Sequence, residues 1–177
     1  MSLLTGKKVL MVIASNGYRD EELEEPRSVL KANGAEVILA SSSLDEAKGV
    51  LGGKTKPDIL ISNVKAGDFD GVVFVGGGGS SEYWQNPAAH RIAKDTYNLG
   101  KVISAICIAP VTLANTGILK GKRATVYHSE AEKLKSAGVI YTGRGVETDG
   151  NVVTADGPGN ARKFGETLVE KLQKHKN

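Results

Sequence analysis

The chain has 177 residues, 40% of them hydrophobic, enough apolar surface for a single domain over 1–177 with its own core. Its 23 basic and 20 acidic residues are spread along the chain rather than drawn into a basic stripe, which argues against a nucleic-acid partner. No run approaches the ~20 consecutive apolar residues of a membrane span, and MSLLTGKK lacks the apolar core of a secretory leader, so a cytoplasmic protein with no membrane partner is expected.

Apolar runs alternate with amphipathic segments from the start. KVLMVIAS, a helix over Glu21 to Ala32 and AEVILAS form a βαβ pattern that predicts parallel strands. Five acids crowd Asp20 to Glu25, as the dipole at a helix N-terminus favours, and Pro26 about one turn in should end or kink that turn. The stretch from Asp45 to Asn63, with Gly49, Gly52 and Gly53 in polar surroundings, suggests a hairpin or an irregular insertion. FDGVVFVGG, a helix near Pro87 to Leu99 and KVISAI follow, then a short helix after Cys107, RATVY and a helix near Glu130 to Ser136. Next, GVIYT and NVVTA read as two short strands joined by the turn-rich ETDGN, whose Asp149-Gly150 pair is a hairpin signal. A last helix covers about Asn160 to Lys174. Strands so uniformly apolar are buried on both faces, so the expected fold is α/β: a mostly parallel sheet with helices on both faces.

Ligands of such sheets sit beyond the carboxyl ends of the strands. Three candidate elements fall there: the Asn16 to Glu22 loop, the Gly76 to Gly79 loop and Cys107. The only cysteine in the chain excludes an internal disulfide and a cysteine-cluster zinc site, leaving a packing residue or a reactive thiol. In SAICIAP it stands between a strand and a short helix, with Ala105 and Ala109 two positions to either side. That is the layout of a nucleophile elbow, where the turn demands small neighbours. A helix N-terminus behind the sulfur should favour the thiolate and lower its pKa below the ~8.5 of free cysteine. The four glycines from Gly76 to Gly79 allow backbone N–H groups to face a developing negative charge, with Gly77 and Ile108 as oxyanion-hole candidates. A loop that merely needs positive φ angles would use glycine too. Among the histidines, His175 lies in a basic tail and should be solvated, and His90 falls in a helix in an exposed or capping role. His128 follows RATVY at the same sheet edge as Cys107, either as a functional imidazole oriented by Glu130 or as a helix cap.

Four stretches in order, Tyr18-Arg19-Asp20-Glu21-Glu22 with Pro26, Gly76-Gly77, Ala105-Ile106-Cys107 and Asp156-Gly157-Pro158-Gly159, give a chain that resembles the ThiJ/PfpI superfamily. That family includes archaeal intracellular peptidases and the parkinsonism-associated deglycase, and the resemblance runs from about Lys8 to Leu172. It implies a flavodoxin-like sandwich, a nucleophile at Cys107 and, four residues before the proline, a buried glutamate at Glu22 touching the cysteine sulfur. A carboxyl group beside a thiolate should have a raised pKa and hold a proton. Peptidase-like members carry a histidine directly after the cysteine, where this chain has Ile108, and Val75 replaces the usual proline before the glycine pair. The deglycase-like branch lacks that histidine and has one near His128.

The resemblance therefore implies glyoxalase- or deglycase-type chemistry on a small aldehyde, with catalytic Cys107, Glu22 and His128, no cofactor and no metal, in stress protection. A redox-responsive or chaperone-like protein that uses Cys107 oxidation is one alternative, and a cysteine peptidase or amidase with His128 as base is another. A homodimer is expected, and Glu82 and Ser81 lie near where some relatives supply an acid across the interface.

Overall fold

Strands with Val and Ile on both faces need cover on both faces. The computed structural model, which describes residues 2–175, supplies it. In chain order the strands are β1 (Lys8–Val12), β2 (Asn16–Tyr18), β3 (Glu36–Ser41), β4 (Ala47–Gly49), β5 (Lys54–Thr55), β6 (Ile59–Leu60), β7 (Gly71–Phe74), β8 (Val102–Ile106), β9 (Arg123–Ala124), β10 (Ile140–Tyr141), β11 (Val146–Asp149) and β12 (Val152–Ala155). The helices are α1 (Asp20–Ala32), α2 (Pro87–Asn98), α3 (Pro110–Thr116), α4 (Ala131–Ser136) and α5 (Ala161–Lys174). The main sheet has the order β11-β12-β8-β7-β1-β3-β6, parallel except for the β11–β12 pair.

Alternate side chains of one strand serve opposite cores. Leu10, Val12, Phe74, Ile103 and Ala105 pack with α2, α3 and α4, whereas Val9, Met11, Val73, Ile106 and Val153 pack with α1 and α5. This is the three-layer, flavodoxin-like arrangement expected. The chain runs outward from β1 through β3 to β6, then returns to the other side of β1 as β7 and β8. The carboxyl ends of β1, β7 and β8 thus meet at the switch point, where an open parallel sheet leaves a crevice. No helix among the described residues is long and apolar enough to cross a membrane.

Three local expectations are corrected. Pro26 does not end α1, which continues unbroken to Ala32. Its ring is buried against α5, so closely that a Cβ on Gly165 would lie 2.9 Å from Pro26 Cα, and this packing offsets the lost backbone donor. The hairpin partner of NVVTA is the Val146–Asp149 strand and not GVIYT, which pairs in parallel with Arg123-Ala124 in a separate two-stranded sheet. Asp149-Gly150 does mark the turn, but it joins the strands immediately flanking it. RATVY is a strand only at its first two residues. Asp45 to Asn63 contains a hairpin of β4 and β5, joined by β2 in a three-stranded sheet.

Candidate active site

Cys107 directly follows β8 and has φ 65°, the only non-glycine residue with positive φ among the described residues. A left-handed residue with a side chain costs roughly 1–2 kcal/mol, so the surrounding structure must impose it. It does so on both sides of the residue. The Cys107 N–H donates to Ala155 O at 2.9 Å, and its carbonyl accepts from the Tyr127 N–H at 2.8 Å. The elbow read from SAICIAP is therefore present, and α3 begins three residues later at Pro110.

Glu22, in the first turn of α1, is fully buried, and its carboxyl group faces the Cys107 sulfur and the Gly76 N–H. Neither contact closes to full hydrogen-bond geometry, so both carboxyl oxygens are buried without a partner. Gly76 is wedged between the two side chains. A Cβ there would collide with Glu22 Oε1 and lie 2.6 Å from both Cys107 Cβ and Ile106 O, so the meeting of acid and thiol requires glycine at this position. Gly77, at φ 104°, is equally constrained, because a Cβ would strike the backbone of Gly17 to Arg19. The Arg19 N–H donates to Gly76 O at 2.9 Å, which ties the acidic loop to the glycine loop. The backbone N–H groups of Gly77 and Ile108 are directed at the Cys107 sulfur.

Burial pushes the Glu22 carboxyl up to about 7, against the opposing pull of the neighbouring Cys107 thiol and the Arg19 charge. The Cys107 thiol is pushed up to about 12, by burial first and then by the Glu22 charge, while the Gly77 and Ile108 N–H groups pull it down. The expected low-pKa thiol is therefore corrected: desolvation and the adjacent acid outweigh the backbone donors. Two groups this close titrate as a pair, and between the two values they hold one proton between them.

His128 is exposed, its ring 4.4 Å from that of Tyr127, and both line a cleft of about 360 Å³ with Tyr141, Asp156, Pro158 and Asn160. The Tyr127–Cys107 backbone bond brings this cleft to the elbow, but no hydrogen bond joins the His128 ring to Cys107 or Glu22. Glu130 does not orient the imidazole. Its carboxylate takes hydrogen bonds from Lys133 and Ser129, both at 2.8 Å, because these neighbours lie on its own turn. Glu82 is likewise engaged within its own chain, accepting from the Ser15 N–H at 3.0 Å. His90 is neither exposed nor a cap: its part-buried ring bonds Trp84 O at 2.8 Å, upstream of α2, and His175 is held to Gly100 O at 2.5 Å rather than freely solvated.

Two supporting residues escape a motif reading. Trp84 donates its Nε1–H to Ile108 O at 3.1 Å and so steadies the residue after the cysteine. Asp20 accepts the N–H groups of Leu51 and Gly53, clamping the β4–β5 hairpin to the start of α1. The only signal for the second was the glycine-rich hairpin, since a Cβ on Gly49 or Gly53 would clash with the Asp20 carboxylate.

A DJ-1/PfpI family model matches residues 7–171, nearly the whole chain and all of the elements just described. The chain belongs to the DJ-1/PfpI family. It is 31% identical over 164 residues to the deglycase PfpI of Pyrococcus furiosus, covering 93% of this chain and 99% of that protein. It is 29% identical over 167 residues to the glutathione-independent glyoxalase DJR-1.2 of Caenorhabditis elegans, covering 94% and 89%. The crystal structure of a ThiJ/PfpI domain protein from Brachyspira murdochii superposes with a TM-score of 0.94 at 30% identity, covering 97% of this chain and all of that one. The family expected from the four sequence stretches is thus the family found.

Proposed function

We propose that this DJ-1/PfpI protein converts small reactive 2-oxoaldehydes such as methylglyoxal to hydroxy acids, using Cys107 as nucleophile and no cofactor. The observation that carries the reading is the left-handed Cys107, its sulfur facing the buried Glu22 carboxyl on one side and the Gly77 and Ile108 N–H groups on the other. The Cys107 sulfur adds to the aldehyde carbon while its proton passes to the Glu22 carboxylate. The resulting hemithioacetal oxygen lies against the two backbone donors. Glu22 gives that proton to the hemithioacetal oxygen and, again a carboxylate, takes the proton from the aldehyde-derived carbon and delivers it to the neighbouring one as the hydroxyl proton passes to the neighbouring oxygen, leaving a thioester of the 2-hydroxy acid. Water hydrolyses the thioester and restores the thiol. His128 and Tyr127 bind the substrate from the cleft side. The deglycase and glyoxalase names of the two relatives support this reaction class over proteolysis. So does Ile108, which stands where a peptidase-like dyad would need histidine. A homodimer, a cytoplasmic setting and a role in stress protection belong to the same reading.

The test is lactate formation from methylglyoxal by wild type beside Cys107→Ala. Turnover in wild type and none in the variant is expected. Equal rates, or peptide cleavage as the only activity, would remove the proposal. One observation favours a second, redox reading: both oxygens of the Glu22 carboxyl beside the sulfur are buried without a partner. A peroxide-derived sulfinate there would meet a carboxyl proton and two backbone donors. That reading expects intact mass to rise by two oxygen atoms and stop, and passage straight to three oxygens contradicts it.

A further inference from the structure

The segment from Arg123 to Tyr127 carries the histidine loop toward Cys107, yet it belongs to the main sheet at neither edge. One edge pairs with β10, through Ile140 N–H to Lys122 O at 2.8 Å and Thr142 N–H to Ala124 O at 3.1 Å. Along the other edge the N–H groups of residues 123, 125 and 127 point the same way, as the two-residue period of an extended chain requires. No strand receives them. The Arg123 N–H goes to Asp149 Oδ2 at 2.9 Å, the Thr125 N–H to Thr154 Oγ1 at 2.9 Å and the Tyr127 N–H to Cys107 O at 2.8 Å. At the first two of these positions backbone acceptors are unavailable because β12 is already paired on both edges, with β8 and with β11. Only a side chain rising from its face can reach the segment.

Thr154 is that side chain. It is completely buried and stands opposite Ala105 in the β12–β8 register. The next residue, Ala155, takes the Cys107 N–H on its carbonyl. The Thr154-Ala155 pair therefore holds both halves of the site, Ala155 the elbow and Thr154 the segment leading to Tyr127 and His128. We infer that Thr154 is a positioning residue of the proposed reaction, its hydroxyl fixing where Tyr127 and His128 stand relative to Cys107. The inference rests on the substrate-binding role given above to the Tyr127–His128 cleft.

The experiment uses the full chain with Thr154→Val, which keeps the shape and removes the acceptor, and Thr154→Ser, which keeps the oxygen. Thr154→Val should raise the amide exchange rate of Thr125 and Tyr127 and lower kcat/KM for methylglyoxal by about tenfold each, the scale of one lost buried hydrogen bond, chiefly through KM. Iodoacetamide alkylation of Cys107 should stay near the wild-type rate, because Ala155 still holds the elbow. Thr154→Ser should restore both properties. Thr154→Val should also displace the His128 ring resonances, and Asp149→Ala, at the solvent end of the row, should displace them in the same direction by a smaller amount and serves as the comparison if Thr154→Val does not fold. Wild-type exchange and KM in Thr154→Val, an equal loss of Cys107 alkylation, or a serine variant as impaired as valine would each overturn the inference. If wild type fails to turn over methylglyoxal, the proposed function falls. Amide exchange and the His128 resonances then still decide whether Thr154 positions the segment.

Discussion

The two halves of the candidate site are built in opposite ways. Around Cys107 and Glu22 the backbone itself is the scaffold: a left-handed residue at φ 65°, two glycines that tolerate no Cβ, and N–H groups aimed at one sulfur. Around His128 the scaffold is side chains, with Asp149 and Thr154 from a hairpin more than twenty residues away holding a segment that forms only two residues of strand. The first half is fixed by sterics, which a single methyl group violates. The second is fixed by hydrogen bonds that can be removed one at a time. Substitutions in the first half should therefore change thiol chemistry and fold together, and those in the second should change substrate binding while leaving the thiol intact.

The sharpest way to break the contrast is Gly76→Ala. Its Cβ would overlap the Glu22 carboxyl and crowd Cys107, so we expect loss of activity and a stability cost of about 3 kcal/mol, the upper range for overpacking. Denaturant midpoints and alkylation rates check both. A variant with wild-type stability and thiol reactivity would show that acid and thiol do not meet across Gly76.

Glu22→Gln gives an effect of similar size that depends on pH. The folded-state carboxyl titrates near 7, above the 4.5 of a free glutamate, so between these values the folded protein keeps a proton that the unfolded chain has released. The Glu22 contribution to stability should be fully present below about pH 4.5, fall as pH rises to about 7 and then level, with a total on the order of 3 kcal/mol. The raised thiol adds a second fall at high pH, toward about 12. Glutamine has no proton to release, so the variant should lose the fall between pH 4.5 and 7 and keep a smaller one at high pH, where burial still raises the thiol without the Glu22 charge. Urea midpoints measured across this range decide it, and parallel curves for the two proteins would contradict the buried titration. In the second half of the site, Thr154→Val should leave this pH profile in place.

The same contrast explains what could be read from the sequence. The elbow announces itself in SAICIAP because its small residues lie two positions from the cysteine, and the glycine run is local as well. Glu22 came from the family pattern, and burial beside the sulfur explains why an acid is held there without a salt bridge. What was not legible lies between distant segments. Nothing in RATVY shows that its third N–H will meet Thr154, and Glu130 next to His128 looks like an orienting acid until Lys133 takes it on the next turn. Strand-like composition likewise could not show that GVIYT pairs with Arg123-Ala124 instead of with NVVTA, since pairing follows from topology and not from the run itself. The thiol pKa departs from its expected direction for a related reason: the helix end is visible in sequence, but the burial that outweighs it is not.

That Cys107 and Glu22 share one proton is the central claim, and the pH dependence of Cys107 alkylation by iodoacetamide in wild type and Glu22→Gln tests it most directly. The wild-type rate should rise with an inflection near 7, where the pair passes from two protons to one, and Glu22→Gln should lose this inflection and react only at higher pH. A wild-type profile with a single inflection near the ~8.5 of an ordinary cysteine, unchanged by Glu22→Gln, would contradict it.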